Sequence, residues 1–120
     1  MARLRSICVY CGSRTGTDPL LRDAAETFGR LIAQAGVKLV YGGGRVGLMG
    51  VMADAALAAG GKVVGIIPEH LNSIEIGHQN VTELHVVQSM HERKNLMFEL
   101  SDAFVILPGG IGTLDEAFEI

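Results

Sequence analysis

The run Pro108-Gly109-Gly110-Ile111-Gly112-Thr113-Leu114-Asp115-Glu116 follows directly on the apolar stretch Ala103-Phe104-Val105-Ile106-Leu107. Its residue types suit holding an anion and placing an acid beside it. Gly109, Gly110 and Gly112 let the backbone approach a ligand closely, and Thr113 with Glu116 three residues on forms a helix-opening capping box. The N–H groups and positive dipole end of such a helix make an anion seat, most often for phosphate. Glu116 then stands one turn from the seat. A held phosphate with a carboxylate alongside points to chemistry on a phosphorylated sugar.

A second constellation, Met90-His91-Glu92-Arg93-Lys94, occupies the first turns of another predicted helix. Two cations there oppose the helix dipole. Either the cluster is a solvated face, or Arg93 and Lys94 face the strand ends and meet an anion or a carboxylate. Arg93 is suited to clamp Glu116 or a phosphate bidentately, which a lysine does less well. A third, Gly42-Gly43-Gly44-Arg45-Val46-Gly47, satisfies G-x-G-x-x-G before a helix, with Glu69 at the end of the next strand. This reads equally as a dinucleotide fingerprint or as a tight turn for strand–helix packing. The second glycine loop at 109–112 counts against NAD and a dehydrogenase.

Other chemistries find less support. Cys8 and Cys11 form C-x-x-C inside an apparent strand, where positions three apart point to opposite faces, and no second cysteine pair completes a zinc site. They read as buried, reduced structural residues. His70, His78, His85 and His91 lack ligand spacing. A Schiff-base lysine would have to be Lys38, Lys62 or Lys94, none in a recognisable cofactor context. Ser13 lacks a G-x-S-x-G elbow, and the P-loop pattern is absent.

The elements that must position these residues alternate. Strands are predicted at Ser6–Tyr10, Val37–Tyr41, Lys62–Ile67, Leu84–Val87 and Ala103–Leu107. Helices are predicted from Asp18-Pro19 to Ala35, over Val46–Ala59 and Ser89–Leu100, and from Thr113. The first helix has an apolar stripe of Leu20, Ala24, Phe28, Leu31 and Ile32. The Ser89–Leu100 helix turns Leu96, Met97 and Leu100 inward. Residues 69–81 form an irregular, functional loop. Continuous Val/Ile/Leu strands between helices indicate an α/β fold: an open, Rossmann-like parallel sheet with helices on both faces and ligand at the carboxyl ends of the strands. With 120 residues and 48% hydrophobic content, the chain reads as one domain spanning 1–120. The last helix runs about two turns to Ile120 without a cap, so the domain reads as truncated after the fifth strand. A formal charge of -3 with scattered Lys and Arg argues against nucleic acid. Apolar runs are too short for a membrane span or signal peptide, so a cytoplasmic location is expected.

With the P-G-G-x-G-T-x-x-E and M-H-x-R-K motifs together, the chain resembles the LOG ("Lonely Guy") family of cytokinin riboside 5′-monophosphate phosphoribohydrolases, long mislabelled as lysine decarboxylases. The likeness also includes Cys11-Gly12-Ser13, Tyr41-Gly42-Gly43-Gly44, Gly47-Leu48-Met49-Gly50 and Gly65-Ile66-Ile67-Pro68. The resemblance implies Arg93 and Glu116 as the catalytic pair. It implies Glu75, Lys94 and Gly109, Gly110, Ile111, Gly112 and Thr113 as substrate-binding residues. It implies hydrolysis of the N-glycosidic bond of N6-modified AMP or of AMP, homodimers or larger assemblies, and no metal or redox cofactor. The rival reading is a non-catalytic nucleotide or molybdenum-cofactor carrier on the same fold.

Overall fold

The computed structural model describes residues 4–11, 19–45, 47–72, 77–78 and 80–107. Its elements follow the chain as β1 (Ser6–Tyr10), α1 (Pro19–Gln34), β2 (Lys38–Tyr41), α2 (Gly47–Ala58) and β3 (Val63–Pro68). They continue with a single turn α3 (Glu69–Leu71), then β4 (Glu83–Val87), α4 (Met90–Glu99) and β5 (Ala103–Ile106). The five strands form one parallel sheet in the order β4-β3-β2-β1-β5. The predicted helix from Thr113 lies outside the described residues.

Successive strand side chains point to opposite faces, and the core divides accordingly. Val9, Leu39, Tyr41 and Val63 pack with Ala25 and Ile32 of α1 and Met52, Ala53 and Ala56 of α2. Cys8, Tyr10, Val40, Val64 and Ile66 pack with Met97 of α4 on the other face. Helices therefore cover both faces. Cys8 is buried as expected, whereas Cys11, at the end of the strand, is only partly buried; the two are not joined in a disulfide.

Helix ends follow sequence. After α1, the Gly36 N–H donates to Ala33 O and the Val37 N–H to Ile32 O, with Gly36 at φ 73°. This is a Schellman stop, and it needs a left-handed residue at Gly36. α4 opens with Ser89 Oγ accepting from the Glu92 N–H at 3.1 Å, while Glu92 Oε2 accepts from the Gln88 N–H at 2.9 Å. Ser89-x-x-Glu92 is thus a working variant of the capping box.

Two predicted stripes need correction. On α1 the buried residues are Ala25, Gly29 and Ile32, with Leu21 and Phe28 partly buried against them. Leu20 is 73% exposed, and Leu31 and Ala24 are exposed too. The cause is Gly29: a Cβ there would sit 2.3 Å from Met52 O, so the two helix backbones meet where the side chain is missing. That contact rotates the buried face by about one position. On α4 Met97 is buried and Leu96 partly so, whereas Leu100 follows the helix as its exposed C-cap.

Candidate active site at the carboxyl ends of the strands

The strand order reverses between β1 and β5: β1, β2, β3 and β4 run outward to one side, and the chain returns through α4 to place β5 on the other. In open parallel sheets ligands bind beyond the carboxyl ends at such a switch point. Leu107 leaves β5 there, its N–H donating to Tyr10 O at 2.8 Å.

Arg93 is brought to the same edge of the sheet. It lies one turn into α4 and is only 5% exposed. Its Nε–H donates to Ile66 O near the end of β3 at 3.0 Å, and its Nη2–H to Gly42 O just past β2 at 2.6 Å. Nη1 lies 3.8 Å from Met90 Sδ. Burying a guanidinium is costly unless its donors are matched, and two backbone carbonyls at strand ends supply the match. A guanidinium has five N–H donors, more than these carbonyls take up, so Arg93 can hold its anchor and donate elsewhere. β2 and β5 are separated by β1 alone, so the Gly42 anchor is about 10 Å across the sheet from the end of β5.

The sequence left Gly42–Gly44 as dinucleotide fingerprint or packing turn; its first glycine has a different use. A Cβ on Gly42 would lie 2.2 Å from Arg93 Nη2, so glycine here makes room for the guanidinium. Gly44 O accepts from the Tyr41 hydroxyl at 2.9 Å. The Tyr41 phenol is pushed far above its ordinary range, by burial first, then by the negative charge of Asp54 and by Cys11. It remains a donor at any physiological pH.

Residues after α3 are stitched to this turn. Gly77 pairs with Gly44 in an antiparallel bridge, and the His78 N–H donates to Gly43 O at 2.9 Å. Sequence reasoning missed the role of His78, which is 4% exposed with Nε2 2.5 Å from Asp54 Oδ1. Asp54 stands 24 positions earlier on α2, and no local pattern links the two.

Lys94 is half-buried on α4. Consecutive helical residues point about 100° apart, so Lys94 faces a different direction from Arg93. Glu75, Gly109, Gly110, Ile111, Gly112, Thr113 and Glu116 lie outside the described residues. Among the described residues no group of three or more His, Cys, Asp or Glu side chains is placed to hold a metal ion. Among them too, no helix is long and apolar enough to cross a membrane.

A family model described as "Possible lysine decarboxylase" matches residues 49–120. The chain is 54% identical over 117 residues to a cytokinin riboside 5'-monophosphate phosphoribohydrolase of Rhodococcoides fascians, covering 97% of this chain and 59% of that protein. It is 49% identical over 119 residues to the probable cytokinin riboside 5'-monophosphate phosphoribohydrolase LOGL9 of Oryza sativa subsp. japonica, covering 99% of this chain and 52% of that one. The chain thus spans between half and three-fifths of the length of these curated relatives. Among solved structures, the molybdenum cofactor binding protein of Rippkaea orientalis aligns with a TM-score of 0.80 at 29% identity, covering 98% of this chain and 71% of that chain. The molybdenum cofactor carrier protein of Chlamydomonas reinhardtii aligns at 0.81 and 26% identity, covering 97% and 70%.

Proposed function

The chain belongs to the family described as "Possible lysine decarboxylase", close to its cytokinin riboside 5'-monophosphate phosphoribohydrolases, and from that premise we propose that it hydrolyses the N-glycosidic bond of N6-modified AMP or of AMP. The products are the free base and ribose 5-phosphate. The observation that carries the reading is the buried Arg93, fastened to the carbonyls of Gly42 and Ile66 at the ligand-binding edge of the sheet.

In this reading Gly109, Gly110, Ile111, Gly112 and Thr113 hold the 5′-phosphate, so that a non-reacting part of the substrate orients the ribose. Cleavage of C1′–N9 builds positive charge on the sugar, as in glycosidases. Glu116 stabilises that charge and takes a proton from the attacking water, whose oxygen bonds to C1′ while N9 leaves with the bond's electron pair and is protonated. Arg93 holds Glu116 ionised and oriented, and Lys94 and Glu75 contact the substrate. The protein works in the cytoplasm as a homodimer.

A decarboxylation through a Schiff-base lysine, which the words of the family description would suggest, has less support. Lys38 and Lys62 stand at the amino ends of β2 and β3, the opposite edge from Arg93. The likeness to molybdenum cofactor proteins supports a carrier as second reading, at 26–29% identity against 49–54% for the hydrolases.

Incubation with AMP and with N6-isopentenyl-AMP, followed by chromatography for free base, decides between them. Base release from either supports hydrolysis. Tight nucleotide binding with no base released supports the carrier.

A further inference from the structure

We infer that Gly65 of β3 is a positioning residue for Arg93. It seats the Gly42–Gly43 peptide against the strand, so that one guanidinium spans Gly42 O and Ile66 O together. The inference rests on the reading above, which gives Arg93 its place in catalysis. It also finds a use for the Gly65-Ile66-Ile67-Pro68 stretch.

Every other residue of β3 is bulky: Val63, Val64, Ile66, Ile67 and Pro68. A glycine inside a strand weakens it and often marks a place where another backbone comes close. Here that backbone is the turn after β2. A Cβ on Gly65 would lie 2.7 Å from Gly43 Cα, about 0.7 Å inside ordinary van der Waals contact. Its other neighbours, Leu84 Cδ1 at 3.1 Å and Tyr41 Cε1 at 3.3 Å, are side-chain atoms less tightly met. The approach is mutual: a Cβ on Gly43 would stand 3.0 Å from the Ile66 N, and Gly43 holds φ 83°. The turn lies against β3 because both positions are glycine.

The link from this contact to Arg93 is covalent. Gly42 O and Gly43 Cα belong to one planar peptide unit, which moves as a plate. Gly42 O is 2.6 Å from Arg93 Nη2, and Ile66 O, in the residue after Gly65, is 3.0 Å from Nε. The two nitrogens keep a fixed spacing on a rigid, planar group, so their two acceptors must keep a matching one. A methyl on Gly65 lifts Gly43 off the strand and draws Gly42 O away with it. The Nη2 bond is then stretched beyond good hydrogen-bond length, while the Ile66 bond, made to β3 itself, stays.

Gly65→Ala tests this against Arg93→Lys in a double-mutant cycle on base release from AMP, with turnover taken per folded molecule. In the parent background Gly65→Ala lowers kcat about tenfold. In the Arg93→Lys background the grip on two carbonyls is already gone, and the same change lowers kcat less than about twofold. A tenfold loss in both backgrounds makes Gly65 an ordinary packing residue and overturns the inference, as does no loss in either. Nitrogen-edited NMR gives a second readout, taken on the folded protein alone. The parent shows distinct Nη–H signals for Arg93, because a bonded guanidinium does not rotate freely. In Gly65→Ala those signals merge while the Nε–H signal persists; a parental pattern overturns the inference. If the methyl prevents folding, Leu84→Val is added to clear its nearest side-chain neighbour and both readouts are repeated. A chain still unfolded shows the glycine serving the core, and the inference falls. If the parent releases no base, the hydrolase reading fails, and the NMR comparison by itself decides whether Gly65 positions Arg93.

Discussion

The two faces of the sheet are closed by opposite means. On the α1–α2 face the layers meet through small and apolar residues, close enough that Gly29 leaves no room for a methyl against Met52 O. On the other face the helix α4 itself contributes one fully buried apolar residue, Met97, and the next anchor along that helix is a buried cation held by backbone carbonyls. The first face is an arrangement for stability. On the second, α4 gives up part of its own apolar burial to hold a charge at the carboxyl ends of the strands, over a smaller apolar cluster supplied by the strands.

Arg93→Lys is the largest expected perturbation of that contrast. A lysine keeps the charge but is a point donor, unable to span Ile66 O and Gly42 O together. Turnover in the base-release assay should fall by about 100-fold or more. One carbonyl left unmatched should also cost about 1–3 kcal/mol in denaturant unfolding. Parental turnover in Arg93→Lys would reduce the α4 face to ordinary packing and erase the comparison.

The same added methyl, placed on each face, sharpens it. Gly29→Ala puts a Cβ against the Met52 backbone, which only a shift of α1 relative to α2 relieves. It should cost about 2 kcal/mol in denaturant unfolding while leaving turnover per folded molecule unchanged. Gly42→Ala meets the end of a side chain instead. The guanidinium moves off Gly42 O, turnover falls about tenfold, and stability changes by less than about 1 kcal/mol. Equal effects of the two substitutions on turnover would break the division between the faces.

How far this was legible in the sequence follows the same line. The strands and their order of appearance were readable because parallel strands buried on both faces are continuous apolar runs. The α1 stripe was misplaced by one position because its centre is Gly29, a contact that no hydrophobic pattern scores. Arg93 was readable from M-H-x-R-K, but its anchorage was not, since both acceptors are backbone carbonyls whose positions depend on the fold. The use of Gly42 was hidden for the same reason. The helix over Ser89–Leu100 was readable as an element, and Ser89 proves to be its cap, one position before Met90. The His78–Asp54 pair left no trace, because its members lie on separate elements and carry no motif.

Tyr41 joins the two regions, its ring in the α1–α2 core and its hydroxyl on Gly44 O beside the site. Tyr41→Phe removes that bond and should cost about 1 kcal/mol near pH 8. The cost should change sign with pH. Burial and the Asp54 charge raise the phenol's folded-state pKa above its ordinary value of 10. Above pH 10 the unfolded chain therefore releases a proton that the native protein retains. The native state is the more protonated one, so the parent loses about 1.4 kcal/mol of stability per pH unit there, and the phenylalanine variant is spared that loss. Unfolding curves for the two proteins at pH 8, 10 and 11 should converge and cross. A constant gap across that range would mean that Tyr41 titrates as an exposed phenol, and that the turn holding Arg93's anchor is wetter than its packing implies.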